Sequence, residues 1–278
     1  MRHHASWYLA LEKWLLENDT EECFFTWDIF PTIVCGKHQL LQAEVNLEYL
    51  KQIGVELTRR HSGGGTVFAD EGDFMFTFIK RTPSENLFRD TLKQIIKALD
   101  EVGVHAELSG RNDMTFNGRK FSGNAFYKSE RGTIIHGTLM YDVDIEKLVR
   151  ALTPDDEKLI SKGIQSVRQR VINLKPYLNN MTREELMAHF EKSINMPPRN
   201  IDNNAVEAIE RIYRSEEWLW GNNPKFTTNK TMRFSWGKAD LFLEVKQNII
   251  TSVELHGDFF AVRDLCGLYD ELIGKNYS

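Results

Sequence analysis

The sequence predicts an α+β fold in which helices cover a mixed β-sheet and a smaller α+β unit follows. Three observations support this prediction. Residues 74–79 are apolar at nearly every position, as in a strand that is covered on both faces. Strand-like segments and segments with apolar residues at helical spacing occur together along the first part of the chain. The chain has 278 residues and 41% hydrophobic content, which is enough for a sizeable core without disulfides.

Periodicity and turn residues locate the elements of the first part. In chain order we expect a helix ending near Asn18, strands at 22–27 and 32–35, a helix capped by Asn46 and ended by Gly54, a strand at 55–60, the apolar strand at 74–79, a helix from Ser84 to Gly103, a glycine-punctuated strand region at 110–141, and a helix at 144–152 ended by Pro154.

A boundary is expected near residues 176–180. Thr182 and Glu185 have the spacing of a capping box, which predicts a helix through Ile194. A further helix is expected at 203–219, and a hairpin at 238–255 turns at Gln247 and Asn248. We therefore expect a catalytic domain at 1–180 and an accessory domain at 181–278.

Charge and cysteine content exclude several classes of protein. With 35 Lys and Arg against 40 Asp and Glu, the chain lacks the basic excess of a dedicated nucleic-acid binder. No apolar run is long enough for a membrane span, and the N-terminal segment is interrupted by charges, unlike a signal peptide. The three cysteines are widely spaced, without a zinc or disulfide pattern, which favours a cytoplasmic location.

A loop rich in glycine is the first candidate for chemistry. Gly63, Gly64 and Gly65 can bring backbone amides close to an anion, and Arg59 and Arg60 stand just before them. If the three glycines are considered alone, the alternative interpretation is a tight turn between two strands. The pattern matches neither a Walker A loop nor a dinucleotide-binding fingerprint, so a nucleotide site here must be of another kind.

Three further segments are candidates. Asn117-Gly118 predicts a hairpin turn between two strands, and the alternative for Lys120 is a solvated position just past the tip of that hairpin. His136-Gly137-Thr138 lies at a strand end, where a lone histidine is more often structural. The segment 161–173 is a basic loop containing Lys162, Gly163, Ser166, Val167 and Arg168, and the alternative for it is a solvated face.

Together these motifs resemble the lipoate–protein ligase family in type, order and spacing. The resemblance rests on residues 59–68 (RRHSGGGTVF), 110–113 (GRND), 118–123 (GRKFSG), 136–139 (HGTL) and 161–174, and it extends to 257–260 (GDFF). It implies a catalytic domain of the biotin/lipoate protein ligase type with a small accessory domain. It also implies that lipoate and ATP, with Mg²⁺, give lipoyl-AMP, and that a lysine of a carrier then takes the lipoyl group.

The resemblance also implies roles for individual residues. Lys120 matches the family's catalytic lysine, and Asp113 is a candidate Mg²⁺ ligand. Lys162, Gly163, Ser166, Val167 and Arg168 match the loop that closes over the adenylate. Lipoate or nucleotide binding is implied for Arg60, His61, Ser62, Gly63, Gly64, Gly65, Thr66, Val67, Phe68, Ala69, Asn112, Asp113, Lys120, Ser122, Gly123, His136, Gly137 and Thr138. The implied carriers are lipoyl domains of 2-oxoacid dehydrogenase E2 subunits or glycine-cleavage H-type proteins.

Three departures from the family pattern stand out. Ala69 replaces a common histidine, Asp73 replaces a common asparagine, and the accessory domain looks shortened at its C-terminal end. The rival interpretations are a lipoyl or octanoyl transferase that uses a ready-made adenylate or a carrier-bound acyl group, including an acyltransferase of the same fold that works through a cysteine thioester, a biotin–protein ligase, and a non-catalytic protein that binds lipoate or a carrier. No cysteine lies between Lys120 and Asn180, which argues against the acyltransferase. The basic loop of a biotin–protein ligase is absent, and intact Arg60, Gly63 to Gly65 and Lys120 disfavour the binding protein.

Overall fold

The computed structural model describes residues 2–110, 112–152, 157–220, 227–260 and 265–277, with the backbone alone for 157–163 and Cys266. Its strands are β1 (Cys23–Trp27), β2 (Thr32–Cys35), β3 (Glu56–Arg59), β4 (Val67–Ala69), β5 (Asp73–Lys80), β6 (Glu107–Ser109), β7 (Asp113–Phe116), β8 (Arg119–Ser129), β9 (Gly132–Met140), β10 (Thr228–Phe234), β11 (Gly237–Lys246) and β12 (Ile249–Gly257).

Helices pack around these strands, and a short 3₁₀ turn (Lys175–Tyr177) follows the sixth of them. The helices are α1 (Ala5–Asn18), α2 (Leu41–Glu44), α3 (Leu47–Gln52), α4 (Leu87–Asp100), α5 (Ile145–Leu152), α6 (Glu157–Arg170), α7 (Arg183–Ile194), α8 (Asn203–Tyr213), α9 (Glu216–Trp220) and α10 (Cys266–Leu272). Among the described residues, no helix is both long enough and apolar enough to cross a membrane.

The main sheet has six strands in the order β1-β5-β9-β8-β7-β6, and every neighbouring pair is antiparallel. The apolar strand β5 lies inside it, and its first seven residues are buried, as predicted. The hairpin turn between β7 and β8 is also confirmed. Asn117 and Gly118 both have positive φ, 51° and 70°, as this tight turn requires.

A second sheet carries the mixed pairing that the sequence predicts. In its order β3-β2-β4, strand β2 runs parallel to β3 and antiparallel to β4. The larger sheet is not mixed, because tight turns join β7 to β8 and β8 to β9 and such turns return the chain antiparallel. Residues 62–66, which we call the glycine loop, connect β3 to β4.

The helices that follow the expected boundary near residue 180 pack against the first part of the chain. The capping box of Thr182 and Glu185 is present, and α7 buries Leu186 and Phe190 completely in the core of the main sheet. Helix α8 packs on α1 through Val206. The third sheet, β10-β11-β12, has a small core of its own that includes Leu243 and Val253. The domain boundary at residue 180 stays a prediction.

The segment predicted as a basic loop at 161–173 is helical through Arg170. Glycine is tolerated inside a helix at a cost of about 1 kcal/mol, so Gly163 does not end α6. The chain leaves the helix at Val171, which forms an isolated bridge with Lys120 on β8. Arg111 and Pro154 lie outside the described residues, and only the backbone of Lys162 and Gly163 is described.

Candidate active site

Arg60 holds the glycine loop in place from inside the protein. Its guanidinium is buried, and its Nη2 donates to the carbonyl oxygens of Gly63 at 2.8 Å and Gly65 at 2.7 Å. Nη1 donates to the Val34 carbonyl at 3.0 Å, and Nε donates to Ser62 Oγ at 2.9 Å. Burial lowers the pKa of Arg60 to about 10, which leaves it charged at neutral pH. In this structure Arg60 therefore positions the loop backbone.

A chain of buried hydrogen bonds continues from Ser62 across the main sheet. Ser62 Oγ lies 2.7 Å from Nε2 of His136, and Nδ1 of His136 lies 2.9 Å from both carboxylate oxygens of Glu12. Glu12 also accepts from the Thr77 hydroxyl at 2.6 Å, and Thr77 accepts from the Trp27 indole at 2.9 Å. The network joins α1, β1, β5 and β9 to the glycine loop.

His61 points away from this network. Its ring stacks on Tyr127 and meets the edges of Tyr213 and Trp218, with ring centroids 4.7 to 5.2 Å apart. Burial lowers its pKa to about 3, so the ring is neutral. Nε2 of His61 is buried without a hydrogen-bond partner among the described residues. The sequence grouped His61 with the site, whereas the structure packs it in an aromatic cluster.

The β7–β8 hairpin, whose turn the sequence predicted, carries Lys120 and Asp113. Lys120 Nζ lies 2.7 Å from Asp113 Oδ1, and both side chains are more than a third exposed. The backbone of Lys120 is fixed by the amide of Ile172, which donates to its carbonyl at 2.9 Å. Asn112 is held by Asn124, since the side chain of each donates to the other's backbone carbonyl, at 2.7 and 2.9 Å. Lys120 thus has a fixed backbone and an ammonium that can reach a ligand.

A small cavity of about 140 Å³ lies between the glycine loop and strands β8 and β9. Its apolar wall comes from Leu9, Trp27, Val34, Met75, Ala125 and Phe260. Its polar wall comes from Arg60, Asn112, Lys120, Asn124, His136 and Thr138, together with Thr66 and the backbones of Gly64, Gly65, Gly123 and Gly137. An apolar pocket with a few convergent polar groups is typical of a small-molecule site.

A larger cavity of about 520 Å³ adjoins the small one. The two share Thr66, Val67, Lys120, Gly123 and Thr138. The larger cavity is further lined by Phe68, Asp73, Asp113 and Thr115, by Leu148 and Leu152 of α5, and by Val167 and Arg170 of α6. Lys120 therefore stands where an apolar cavity and a more polar one meet.

Asp73, one of the departures from the family pattern, is buried in the wall of the larger cavity. Burial, and then the charge of Asp70, raise its pKa well above the usual value for a carboxyl group. The backbone amide of Asp70 donates to Asp73 Oδ2 at 3.3 Å. A raised pKa favours the neutral form of this carboxyl group, which adds no charge to the cavity.

The structure brings most of the predicted residues to these two cavities. The exceptions in the predicted binding set are His61, Ser62, Gly63, Ala69 and Ser122, which line neither cavity. Of the segment expected to close over the adenylate, Val167 reaches the larger cavity, while Ser166 and Arg168 are exposed and do not line it. Only the backbone of Lys162 and Gly163 is described.

Sequence reasoning missed Glu12, Trp27, Met75, Asn124 and Phe260. Glu12 and Trp27 lie in the first helix and the first strand, far along the chain from the motifs, and no local pattern marks them. Asn124 was only one residue beyond a predicted site residue, Gly123. Arg170 lies in the basic segment 161–173, but the sequence-based assignment named Arg168 and left Arg170 out, whereas Arg170 is the one that lines the larger cavity.

Comparison with known proteins agrees with the architecture. Residues 4–195 match the family model described as lipoyl protein ligase A/B catalytic domain, and residues 223–278 match that of the bacterial lipoate protein ligase C-terminus. The chain is 37% identical over 285 residues to lipoate–protein ligase LplJ of Bacillus subtilis, covering 97% of this chain and 86% of that protein.

Two solved structures extend the comparison. The chain superposes on P. falciparum LipL1 in complex with lipoate with a TM-score of 0.83 and 28% identity, covering 100% of this chain and 89% of the other. It shares its fold with a lipoate-protein ligase A bound with ATP, at a TM-score of 0.67 and 20% identity, covering 80% of this chain and 96% of the other. The strands, helices and motifs of the chain agree with these matches. The chain therefore belongs to the lipoate–protein ligase family.

Proposed function

We propose that this protein is an ATP-dependent lipoate–protein ligase. It activates lipoate as lipoyl-AMP and then transfers the lipoyl group to a lysine of a carrier domain. The observation that carries the proposal is the position of Lys120, which lines both the small apolar cavity and the larger polar one. A reaction that joins an apolar acid to a nucleotide needs a cation at this junction.

The first step forms the mixed anhydride. A carboxylate oxygen of lipoate attacks the α-phosphorus of ATP, the bond to the β-phosphate breaks, and pyrophosphate leaves. Negative charge accumulates on the phosphoryl oxygens as the new bond forms, and the Lys120 ammonium stabilises it. The apolar wall of Leu9, Trp27, Val34 and Met75 fits the hydrocarbon chain and the dithiolane ring.

The second step transfers the acyl group. The neutral ε-amine of a carrier lysine attacks the acyl carbon, the bond to AMP breaks, and the amine loses a proton. Lys120 stabilises the departing phosphate, since it stays within reach of the same oxygens. The proposed carriers are lipoyl domains of E2 subunits or of H-type proteins, and the proposed location is the cytoplasm.

Mg²⁺ is the metal that the family implies. In proteins it is typically held by one or two carboxylates together with substrate phosphates. Asp113 fits this requirement, because it lines the larger cavity and its Oδ1 pairs with the partly exposed Lys120 ammonium. Among the described residues no cluster of three or more possible ligands occurs. Substrate phosphates and water would supply the other ligands. Bound there, Mg²⁺ would neutralise charge on the phosphates.

The segment 161–173 is proposed to cover the intermediate. Val167 and Arg170 on α6 already border the larger cavity, and Val171 is bridged to the backbone of Lys120. A ligand that contacts both Lys120 and this segment would exclude water from the anhydride. Lys162, Gly163, Ser166 and Arg168 are proposed to take part in this closure.

The thioester acyltransferase is the weaker candidate. Burial raises the pKa of the Cys23 thiol to about 11 and also raises that of Cys35. A nucleophilic cysteine needs the thiolate form near neutral pH. Neither thiol lines the cavities at Lys120.

The decisive experiment separates the two steps. The purified chain is incubated with lipoate, ATP and Mg²⁺, first alone to measure pyrophosphate exchange and then with apo E2 and H-type domains to measure their gain in mass. We expect both reactions in the wild type and a decrease of about a hundredfold or more in Lys120→Ala. Lys93→Ala is the matched control, because Lys93 is an exposed lysine of α4 far from either cavity. A wild type without pyrophosphate exchange, or a folded Lys120→Ala with normal exchange, would contradict the proposal.

A further inference from the structure

The small cavity is not built by the first part of the chain alone. Of the described residues that line it, Phe260 is the one that comes from beyond residue 138. It belongs to residues 257–260, which begin at the last residue of β12 and which we call the strap. The strap reaches back from the third sheet to the glycine loop.

Backbone hydrogen bonds fix the strap at two points. The amide of Gly257 donates to the carbonyl of His38 at 2.9 Å, and the amide of Gly64 donates to the carbonyl of Phe259 at 3.1 Å. The His38 and Phe259 rings stack between these points at 4.8 Å. The Gly64 amide, expected from the sequence to face an anion, thus binds the strap in this structure.

The glycines of the loop make room for the strap. A Cβ on Gly63 would collide with the carbonyl oxygen of Phe259, and a Cβ on Gly64 would lie 3.1 Å from the Phe260 ring. Gly64 also has a φ of +90°, which side chains rarely adopt. Two of the three glycines therefore serve the contact with the strap, whatever else the loop binds.

The Phe260 ring is held against the main sheet. It stacks on Phe126 of β8 at 5.4 Å, and Phe126 in turn packs against Phe88 of α4 at 5.3 Å. Phe260 lines the small cavity but not the larger one, which Asp113 and Arg170 line. A ring supported in this way bounds the space available to an apolar ligand.

We infer that Phe260 is a specificity-determining residue, which closes the small cavity and sets the length of the acyl chain that it accepts. The inference rests on the proposed function for the identity of the acid. Aromatic rings also make favourable contacts with sulfur, which suits a dithiolane ring. Acyl selection would then depend on the strap being docked on the glycine loop.

The test measures binding without catalysis. Calorimetry gives the dissociation constants of hexanoate, octanoate, decanoate and lipoate for the full chain and for Phe260→Ala, Phe260→Leu and Phe260→Trp. We expect Phe260→Ala to weaken the binding of lipoate and octanoate by roughly tenfold, because the ring no longer covers their apolar surface, and to weaken that of decanoate less. Phe260→Trp is expected to shift the preference toward hexanoate. Phe234→Ala is the matched control, because Phe234 is an exposed aromatic residue of β10 in the third sheet and does not line the cavity.

Each outcome decides the inference. Equal affinities in wild type and Phe260→Ala, or an equal decrease for all four acids, would overturn it, because a merely structural role does not change the length preference. If Phe260→Ala lacks a cooperative melting transition, the dissociation constants of Phe260→Leu and Phe260→Trp are compared with those of the wild type instead. A wild type that binds lipoate but shows no pyrophosphate exchange would contradict the proposed function and leave this comparison valid. A wild type that binds none of the acids would contradict both.

Discussion

Nε2 of His136 lies 2.7 Å from the Ser62 hydroxyl, although the two residues are 74 positions apart. Arg60 Nε donates to the same hydroxyl oxygen at 2.9 Å. On the other side of the imidazole ring, Nδ1 lies 2.9 Å from both carboxylate oxygens of Glu12. The network therefore ties α1 and β9 to the glycine loop and holds the loop in one orientation.

Glu12→Gln is expected to weaken this network. Glu12 accepts from both Thr77 and His136, whereas an amide has one acceptor oxygen and its NH₂ would face a donor. The free energy of unfolding should fall by about 1–3 kcal/mol. Urea unfolding measures it, and Glu17→Gln is the control because Glu17 is an exposed residue of the same helix. Equal decreases in the two variants would mean that the buried network contributes nothing specific.

Arg170→Ala is expected to impair the use of ATP more than Arg168→Ala. Arg170 and Val167 are three positions apart on α6, so they share a face, and both line the larger cavity. Removing a hydrogen bond between a guanidinium and a phosphate should raise the KM for ATP roughly tenfold, since hydrogen bonds to charged groups contribute about 1.5–3 kcal/mol. Steady-state pyrophosphate release measures the KM. A larger effect of Arg168→Ala would restore the assignment made from the sequence.

Local signals were enough to predict much of the fold. The Asn46 cap, the capping box of Thr182 and Glu185, and the turn at Gln247 and Asn248 each depend on neighbouring residues, and all three are present. Their physical causes act over a few residues, so a single sequence reveals them. The buried strand β5 was equally visible, because burial on both faces leaves a continuous apolar run.

The site was predictable only where motif and geometry coincide. Lys120 and Asp113 face each other across a hairpin that a two-residue turn specifies. The role of Arg60 was not predictable in this way. One of its partners is the Val34 carbonyl on another strand, and the residues around Arg60 in the sequence do not show whether its guanidinium binds the backbone or a ligand. Glu12 and Phe260 reach the site through contacts between distant parts of the chain. Glu12 is 124 residues away from its partner His136, and Phe260 is brought to the site by the strap.

The cysteines are expected to be dispensable for catalysis. A chain with Cys23, Cys35 and Cys266 all replaced by Ala should keep its rate of lipoyl transfer within about twofold, because an adenylate route needs no covalent nucleophile on the enzyme. Its free energy of unfolding should fall by roughly 1–2 kcal/mol, since Cys23 and Cys35 are buried. Mass spectrometry of the wild type during turnover is the complementary measurement. A thioester adduct, or an inactive but folded variant, would favour the acyltransferase.

Asp73→Asn is expected to stabilise the protein as the pH rises. Burial and the neighbouring Asp70 raise the pKa of Asp73 in the folded state, while the unfolded chain ionises near the ordinary value of about 3.9. The folded state therefore retains a proton that the unfolded state loses, and the stability of the wild type declines as the pH rises from that value toward the folded pKa.

An amide does not titrate, so the advantage of Asp73→Asn should be smallest below about pH 4 and should grow with pH, by up to about 1.4 kcal/mol for each unit between the two pKa values. Urea unfolding at intervals from pH 4 to pH 8 measures this difference. Asp90→Asn is the control, because Asp90 is an exposed aspartate of α4. A difference that stays constant with pH would show that Asp73 is ionised in the folded protein, and the larger cavity would then carry a negative charge that any bound nucleotide must offset.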